Sequence, residues 1–274
     1  MSERFLQRPF VMGVLNITPD SFSDGGRYFD RDVALARGLE ILAQGADVVD
    51  VGGESSRPGA EPVSEEEERR RVVPVIAELS RILKGCPQRI SIDTMKPSVA
   101  EAAVEAGASI INDISASLAR TAASLGVGWV AMHMQGTPRD MQEDPRYSDV
   151  VTEVVSFLKE KASAALDIGV KEVWVDPGIG FGKRVEHNLA LLYHLDELVA
   201  QGLPVLVGTS RKSFIGLLAS APGQAPPSVE HRLEGSLATA VWAMAQGAAM
   251  VRVHDVAATV QAATLVRPLA KSIW

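Results

Sequence analysis

Three carboxylate or amide side chains, Asp93, Asn112 and Asp176, stand at or near the ends of short apolar segments of this sequence. A carboxylate can accept two parallel N–H bonds, and an amide can both donate and accept. Together they would match the edge of a planar, nitrogen-rich ring. Two local alternatives stay open: Asp93 could cap the helix that follows it, and Asn112 with Asp113 could form an Asx turn.

Four cationic or donor side chains follow other segments of the same kind, namely Arg57, Lys212, Arg252 and His254. Such groups bind phosphate oxygens, so this set suits a phosphate or a diphosphate. Asn16 offers a hard oxygen that could help to hold Mg2+, an ion that keeps several waters and takes few protein ligands beside substrate phosphates. A ring site next to an anion site suggests a heterocycle that carries a diphosphate leaving group.

The sequence also disfavours three other kinds of site: a covalent nucleophile, a zinc centre and a phosphate-binding loop. No Ser-His-Asp or Cys-His arrangement stands out, which favours direct displacement over a covalent enzyme intermediate. A zinc centre is not expected, because His133 and His254 have no obvious third ligand. The glycine-rich run Gly178–Lys183 matches neither common phosphate-binding motif, so we do not expect it to be a phosphate loop.

Composition argues against several other classes of protein. The 274 residues carry 27 Lys and Arg against 34 Asp and Glu, a net charge of −7, which disfavours a general nucleic-acid binder. Cys86 is the only cysteine, so no internal disulfide can form. The N-terminal segment Met1–Phe10 lacks the apolar run of a signal peptide, and the longest uncharged run, Gly235–Val251, is short for a membrane span. We therefore expect a cytoplasmic protein.

Short, almost continuously apolar segments predict strands that are covered on both faces. They lie near Phe10–Ile17, Asp47–Gly53, Arg89–Thr94, Ser109–Ile114, Gly128–Met134, Glu172–Asp176, Pro204–Thr209 and Ala249–His254. Helical patterns alternate with them at Asp32–Gln44, Ser64–Leu83, Pro97–Ala106, Ala116–Leu125, Ser148–Ile168, Val185–Val199, Val229–Gln246 and Val256–Val266. The last helix is expected to stop before Arg267, because a residue that precedes proline disfavours helix.

This alternation predicts an α/β fold, a closed (β/α)8 TIM barrel, in preference to a doubly wound sheet. The Pro-rich stretch Ala221–Pro227 is expected to be a surface loop, so residues 1–274 form a single domain. Nearly every predicted strand ends in polar residues, whereas the turns at the opposite end hold little but glycine and apolar side chains. Because chemistry in such barrels takes place at the carboxyl ends of the strands, this asymmetry predicts an active site there.

Nine segments around these strand ends closely resemble dihydropteroate synthases. They are MGVLNITPDSFSDGG (12–26), DVGGESSRPGA (50–60), SIDTMKP (91–97), IINDI (110–114), HMQGTP (133–138), DPGIGFGK (176–183), GTSRKSFIG (208–216), RLEGSLATA (232–240) and RVHDV (252–256). The resemblance implies condensation of 6-hydroxymethyl-7,8-dihydropterin diphosphate with 4-aminobenzoate to 7,8-dihydropteroate and diphosphate, a step of folate biosynthesis. It also implies Mg2+, a homodimer, small-molecule substrates without nucleic acid or membrane, and a sulfonamide target.

The family motifs assign the site residues. The resemblance implies that the pterin is held by Asp93, Asn112, Asp176 and Lys212. It implies that Mg2+ binds Asn16 and that the diphosphate oxygens meet Arg57, Arg252 and His254. The 4-aminobenzoate would be surrounded by Ser56, Pro58, Phe181, Lys212 and Ser213. The residues implied to be catalytic are Asp24, Arg57, Lys212, Arg252 and His254, with Asp24 and Arg57 on mobile loops.

One position departs from the family pattern, because Ser56 stands where threonine is usual. The hydroxyl is kept and a methyl group is lost. Two other functions are considered: the pterin-binding barrel of a cobalamin-dependent methyltransferase, and a non-catalytic paralogue that binds pterin. The runs SRKS (210–213) and RVHD (252–255) suit a diphosphate and disfavour the methyltransferase, while the complete set of charged residues disfavours the non-catalytic paralogue.

Overall fold

Eight parallel strands form the centre of the structure, a computed structural model that describes residues 8–18, 31–57, 59–221 and 223–269. They are β1 (Phe10–Asn16), β2 (Val48–Gly52), β3 (Arg89–Asp93), β4 (Ile110–Asp113), β5 (Gly128–Met132), β6 (Val173–Asp176), β7 (Leu206–Val207) and β8 (Met250–Val253). Hydrogen bonds join them in the order β6-β5-β4-β3-β2-β1-β8-β7. A bridge between Val175 and Val205 joins the two edges, which confirms the predicted single-domain (β/α)8 barrel.

Helices alternate with the strands along the chain. They are α1 (Arg31–Ala43), α2 (Glu65–Ile82), α3 (Pro97–Glu105), α4 (Ala119–Leu125), α5 (Val150–Asp167), α6 (Val185–Tyr193), α7 (Leu195–Val199), α8 (Ser213–Ala219), α9 (Leu233–Ala245) and α10 (Val256–Leu269). A large apolar cluster packs these helices against the strands, which is why the strands read as almost continuously apolar. Within the described ranges, no helix is both long and apolar enough to cross a membrane.

The predicted end of the last helix is wrong. α10 continues through Arg267 and Pro268 to Leu269 instead of stopping at Val266. Proline disfavours helix at the preceding residue without forbidding it, and α2 also encloses a proline, Pro74. Packing of α10 against α9 and β1 outweighs the local preference.

Three further helical predictions change in detail. The predicted helix Val185–Val199 is divided at His194, and α9 follows a separate 3-10 turn at Val229–His231. α4 begins at Ala119, because the Asp113 carboxylate binds backbone amides in the preceding turn. The short helix α8 was not predicted from the sequence.

Candidate active site

Alternation along the strands brings polar side chains to one inner level of the barrel. An apolar cluster forms the floor of the interior and includes Val48, Ile110, Trp174 and Met250. Since every second side chain of a strand points to the same face, the residues two positions later also point inward, nearer the carboxyl ends. They are Asp50, Asn112, Asp176 and Arg252. Asp93 pairs in register with Asn112 and joins them at the mouth of the barrel.

Arg252 links two carboxylates at this level. Its Nε donates to Asp50 Oδ2 at 2.6 Å, and a terminal nitrogen donates to Asp93 Oδ2 at 2.7 Å. The side-chain nitrogen of Asn112 donates to the same Asp50 oxygen at 2.9 Å. The structure thus gathers Asp93, Asn112 and Arg252 around Asp50.

These contacts decide between the local alternatives for the two strand ends. The N-cap of α3 is Lys96, so Asp93 does not cap that helix. At the next strand end, Asp113 forms the Asx turn, since its Oδ1 accepts from the Ser115 amide at 2.9 Å. Asn112 is left to face the barrel interior.

Burial shifts the pKa values of two carboxyl groups at the mouth of the barrel, Asp93 and Asp176. Burial raises the pKa of Asp93, Arg252 lowers it, and the neighbouring Asp50 raises it. Burial also raises the pKa of Asp176, against the pull of Lys212. Among the described residues, Asp50 Oδ1 is buried without a hydrogen-bond partner. We call the space among Asp50, Asp93, Asn112 and Asp176 the acceptor-rich pocket. N–H donors of a ring bound there would favour the ionised form of the carboxylates.

Lys212 connects these carboxylates to an aromatic wall. Its Nζ donates to the carbonyl oxygen of Ile179 and lies 4.7 Å from the centroid of the Phe181 ring. Burial lowers the pKa of Lys212 to about 8, although the charge of Asp176 raises it. Lys212 is thus near both Asp176 and Phe181.

The run Gly178–Lys183 is a braced loop. Buried Lys183 Nζ lies 3.0–3.2 Å from four acceptors: His133 Nδ1 and the carbonyl oxygens of His133, Gly178 and Phe181. Burial lowers the pKa of Lys183 to about 7 and, together with the Lys183 charge, the pKa of His133 to about 3. A neutral His133 can accept a bond from the ammonium group. The bonds fix the loop that carries Phe181.

Two of the residues predicted to bind an anion, Arg57 and His254, line a cleft at the same mouth. Asn16 and Arg211 line it as well. Burial, followed by the charges of Arg252, Arg211 and Arg57, lowers the pKa of His254 to about 3. The neutral imidazole and the exposed Arg57 guanidinium can both donate to an anion bound in this cleft.

Two residues of this region were not among the individually predicted site residues. Arg211 lines the cleft, and its guanidinium holds Asp255 through bonds of 2.6 and 3.1 Å. Asp50 is fully buried and anchors Arg252. The available signal was a single acid inside the apolar strand Val48–Gly52, where a charge is costly unless it is paired.

Asn16 ends β1 and is the residue predicted to hold Mg2+. Its Oδ1 lies 3.6 Å from the position that a Cβ on Gly52 would take, which places it beside the end of β2. Within the described part of the chain, no group of three or more His, Cys, Asp or Glu could hold a metal. A single amide oxygen beside a cationic cleft fits Mg2+ that is bound mainly by waters and substrate phosphates.

The other predicted residues lie on loops at the mouth. Ser56 is half-buried and Arg57 is exposed on the segment between β2 and α2. Ser213 is exposed as the first residue of α8. Asp24 and Pro58 lie outside the described residues, so their roles stay predictions.

Comparison with known proteins shows the family. The model of the family described as "Pterin binding enzyme" matches residues 12–254. A dihydropteroate synthase from Haemophilus influenzae is 46% identical over 261 residues, which cover 93% of this chain and 91% of that protein. The structure of Xanthomonas albilineans dihydropteroate synthase with 4-aminobenzoic acid aligns with a TM-score of 0.86 at 46% identity, covering 97% of this chain and 94% of that one. A second Xanthomonas albilineans structure, in complex with 7,8-dihydropteroate, aligns at 0.82 and 43% identity, covering 97% and 95%. This chain therefore belongs to the dihydropteroate synthase family.

Proposed function

We propose that this chain condenses 6-hydroxymethyl-7,8-dihydropterin diphosphate with 4-aminobenzoate and releases 7,8-dihydropteroate and diphosphate. Membership of the dihydropteroate synthase family makes it a transferase that forms dihydropteroate. The observation that carries the proposal is an acceptor-rich pocket beside a cationic cleft at one barrel mouth. The reaction needs both, one for the pterin ring and one for the leaving group.

The pterin ring would occupy the acceptor-rich pocket. Asp93 and Asp176 would accept N–H bonds from its edge, while Asn112 can donate and accept. Burial raises the pKa values of Asp93 and Asp176, because it removes the water that stabilises their charged forms. N–H donors of the ring would replace that water and would therefore be bound strongly. Lys212, placed between Asp176 and Phe181, would donate to an acceptor of the ring.

The diphosphate would lie where the cleft meets the acceptor-rich pocket, in contact with Arg57, Arg252 and His254. Asn16 would hold Mg2+, and the ion, when bound, would neutralise charge on the diphosphate oxygens. The guanidinium groups would stabilise the charge that grows on the leaving group as its bond to the pterin methylene carbon breaks.

The 4-aminobenzoate would lie against Phe181, surrounded by Ser56, Pro58, Lys212 and Ser213. Its amine nitrogen forms a bond to the methylene carbon, the carbon–oxygen bond to diphosphate breaks and leaves its electron pair on the diphosphate, and the amine releases one proton to solvent. Asp24 and Arg57 would close over the substrates from the two loops. Catalysis in this proposal consists of aligning the amine and stabilising charge on the separating fragments.

One assay tests the proposal and its two alternatives. The protein is incubated with the pterin diphosphate, Mg2+ and labelled 4-aminobenzoate, and labelled dihydropteroate is expected with one diphosphate for each product. Asp176→Ala should abolish pterin binding in calorimetry. No product under any metal condition would overturn the proposal: methyl transfer from a methylated folate to cobalamin would then identify a methyltransferase, and pterin binding without turnover a non-catalytic paralogue.

We also propose a homodimer. α9 packs between α6 and α8, and these helices expose apolar side chains that include Leu189, Tyr193, Leu217, Leu218 and Trp242. Several large exposed apolar side chains on adjoining helices are typical of a protein interface. Light scattering should give a dimer for the unmodified chain and a monomer for Tyr193→Glu, while a monomer for both would refute the assembly.

A cytoplasmic location is part of the proposal. Cys86 is the only cysteine and it is exposed, which suits a reducing compartment. Cell fractionation should place the protein with the cytosolic markers, and recovery with an envelope fraction would contradict this.

A further inference from the structure

A single ammonium group holds both ends of the loop that carries Ser56 and Arg57. This loop, residues 54–63, follows β2 and ends just before Ser64, the N-cap of α2. Lys96 Nζ donates to the carboxylate of Glu54 at the start of the loop. It also donates to the carbonyl oxygen of Val63 at the end of the loop, at 2.7 Å. The two ends are therefore joined through one side chain of a different element.

A third partner ties this group to α2. Lys96 Nζ donates to Glu68 Oε2 at 2.6 Å, and Glu68 is almost fully buried. The side chains of Lys96 and Glu54 are only 20% and 16% exposed. Charged contacts that are shielded from water hold their geometry better than exposed surface pairs do.

Lys96 is itself fixed to the pterin side of the barrel. It lies three residues after Asp93, and its backbone amide donates to the hydroxyl of Thr94 at 3.2 Å. The next residue, Pro97, starts α3 with a restricted φ. Lys96, held by Thr94 and followed by Pro97, thus anchors the loop 54–63, which is exposed at Arg57 and Gly59.

We propose that Lys96 is a positioning residue, which holds the loop 54–63 so that Ser56 is presented to 4-aminobenzoate and Arg57 to the diphosphate. The inference depends on the proposed function for the identity of that substrate. Lys96 touches no reacting atom in this view. It acts through Glu54 and Val63, and therefore on the binding of 4-aminobenzoate and the diphosphate much more than on the binding of the pterin ring.

The test compares 4-aminobenzoate with the pterin ring alone. Lys96→Met should raise the KM for 4-aminobenzoate by about tenfold, the value of roughly one lost charged contact, and leave the calorimetric Kd for 6-hydroxymethyl-7,8-dihydropterin, which lacks the diphosphate, within about twofold. Glu54→Gln, which keeps the shape of the side chain, should show the same selective change. The double variant should be no worse than Lys96→Met, because both substitutions remove one shared contact.

Arg89→Met is the matched control, since Arg89 lies at the opposite end of β3 and pairs with Glu172 at 2.6 Å. It should alter neither the KM for 4-aminobenzoate nor the Kd for 6-hydroxymethyl-7,8-dihydropterin. A purely structural role for Lys96 would lower kcat through loss of active protein without moving KM. Hydrogen exchange of the amides at 55–57 and 59–60 should also become faster in Lys96→Met and not in Arg89→Met.

The outcomes are distinct. An unchanged KM for 4-aminobenzoate in both Lys96→Met and Glu54→Gln, or an equal rise in the Kd for 6-hydroxymethyl-7,8-dihydropterin, would overturn the role of Lys96 while the unmodified chain still makes dihydropteroate. No dihydropteroate from the unmodified chain would instead refute the proposed function. If Lys96→Met does not fold, Glu54→Gln decides alone.

Discussion

Asp50 and Arg252 illustrate how much of the site is set by individual residues. The Arg252 guanidinium is shared between Asp50 and Asp93, and Asn112 donates to the same Asp50 oxygen. Removing one partner of such a buried set leaves the others with uncompensated charge. Asp50 therefore supports two proposed substrate-binding residues although it was not predicted to belong to the site.

Asp50→Asn should weaken binding of the pterin diphosphate by about 10- to 100-fold, because Arg252 and Asn112 lose a shared carboxylate. Calorimetric titration measures the effect. Asp47→Asn is the control: Asp47 precedes the same strand and pairs with Arg8 at 2.7 Å, far along the barrel from the mouth, and its loss should change the affinity by less than about twofold. Equal affinities for both variants would contradict the role of Asp50.

His254 should respond to a bound anion. Its pKa of about 3 keeps the imidazole neutral between about pH 5 and 8, and a nearby negative charge favours the protonated form, so inorganic diphosphate should raise that pKa. NMR titration of the imidazole resonances measures this. His133, whose pKa is also about 3, faces Lys183 and serves as an internal reference. A rise of the same size for both histidines would exclude a local anion site.

At the scale of elements, the loops that follow β5 and β6 pack backbone against backbone. A Cβ on Gly178 would lie 1.9 Å from the carbonyl oxygen of His133, and one on Gly182 would lie 2.2 Å from that of Gln135. Both glycines have a positive φ. The close approach, together with Lys183, holds the loop that carries Phe181 against the loop that follows β5. Backbone packing therefore explains why the run Gly178–Lys183 is rich in glycine, and no phosphate-binding role is needed.

Gly182→Ala should therefore lower the free energy of unfolding by about 2–4 kcal/mol, the sum of left-handed strain and overpacking. Gly126→Ala is the control for left-handed strain alone, because Gly126 has a similar φ of 68° and no atom lies within 4 Å of its Cβ position. It should lower the free energy of unfolding by about 1 kcal/mol. Denaturant unfolding measures both. A loss in Gly182→Ala no larger than in Gly126→Ala would show that the two loops can move apart.

At the scale of the whole molecule, the barrel closes unevenly. β1 and β2 share five register pairs, whereas β6 meets the seventh strand segment through the single Val175–Val205 bridge. The Val175 amide donates to the Pro204 carbonyl oxygen at 3.1 Å across this seam. Elements with few backbone hydrogen bonds open at a lower free energy than the rest of a protein.

Hydrogen exchange should reveal this seam. The amides of Val175 and Leu206 should exchange faster than those of Val49 and Val51 between β1 and β2, because fewer bonds must break for the barrel to open there. Mass spectrometry on peptides from the two regions measures the difference. Equal protection would mean that the barrel opens only as a unit.

Much of this fold is encoded locally. The near-continuous apolar runs predicted all eight strands, because strands covered on both faces carry that pattern whatever their neighbours are. The same period of two places Asp176 two positions after the floor residue Trp174, so strand ends indicated the site. Local preference failed at Pro268, where packing of α10 prevailed over the effect of proline on the preceding residue.

Partner choice was decided only by the tertiary structure. Arg252 and Asp50 are 202 residues apart in the sequence, and Lys183 and His133 are 50 apart, yet each pair is in contact. The closed ring of strands brings these distant positions to the same height in the barrel. No local pattern shows which carboxylate a guanidinium will meet, nor that Lys96 joins both ends of the loop 54–63. The sequence by itself determined the eight strands and the polar residues at their ends. Closure of the barrel decided which of those residues touch, since the contacts depend on strand register and not on neighbours along the chain.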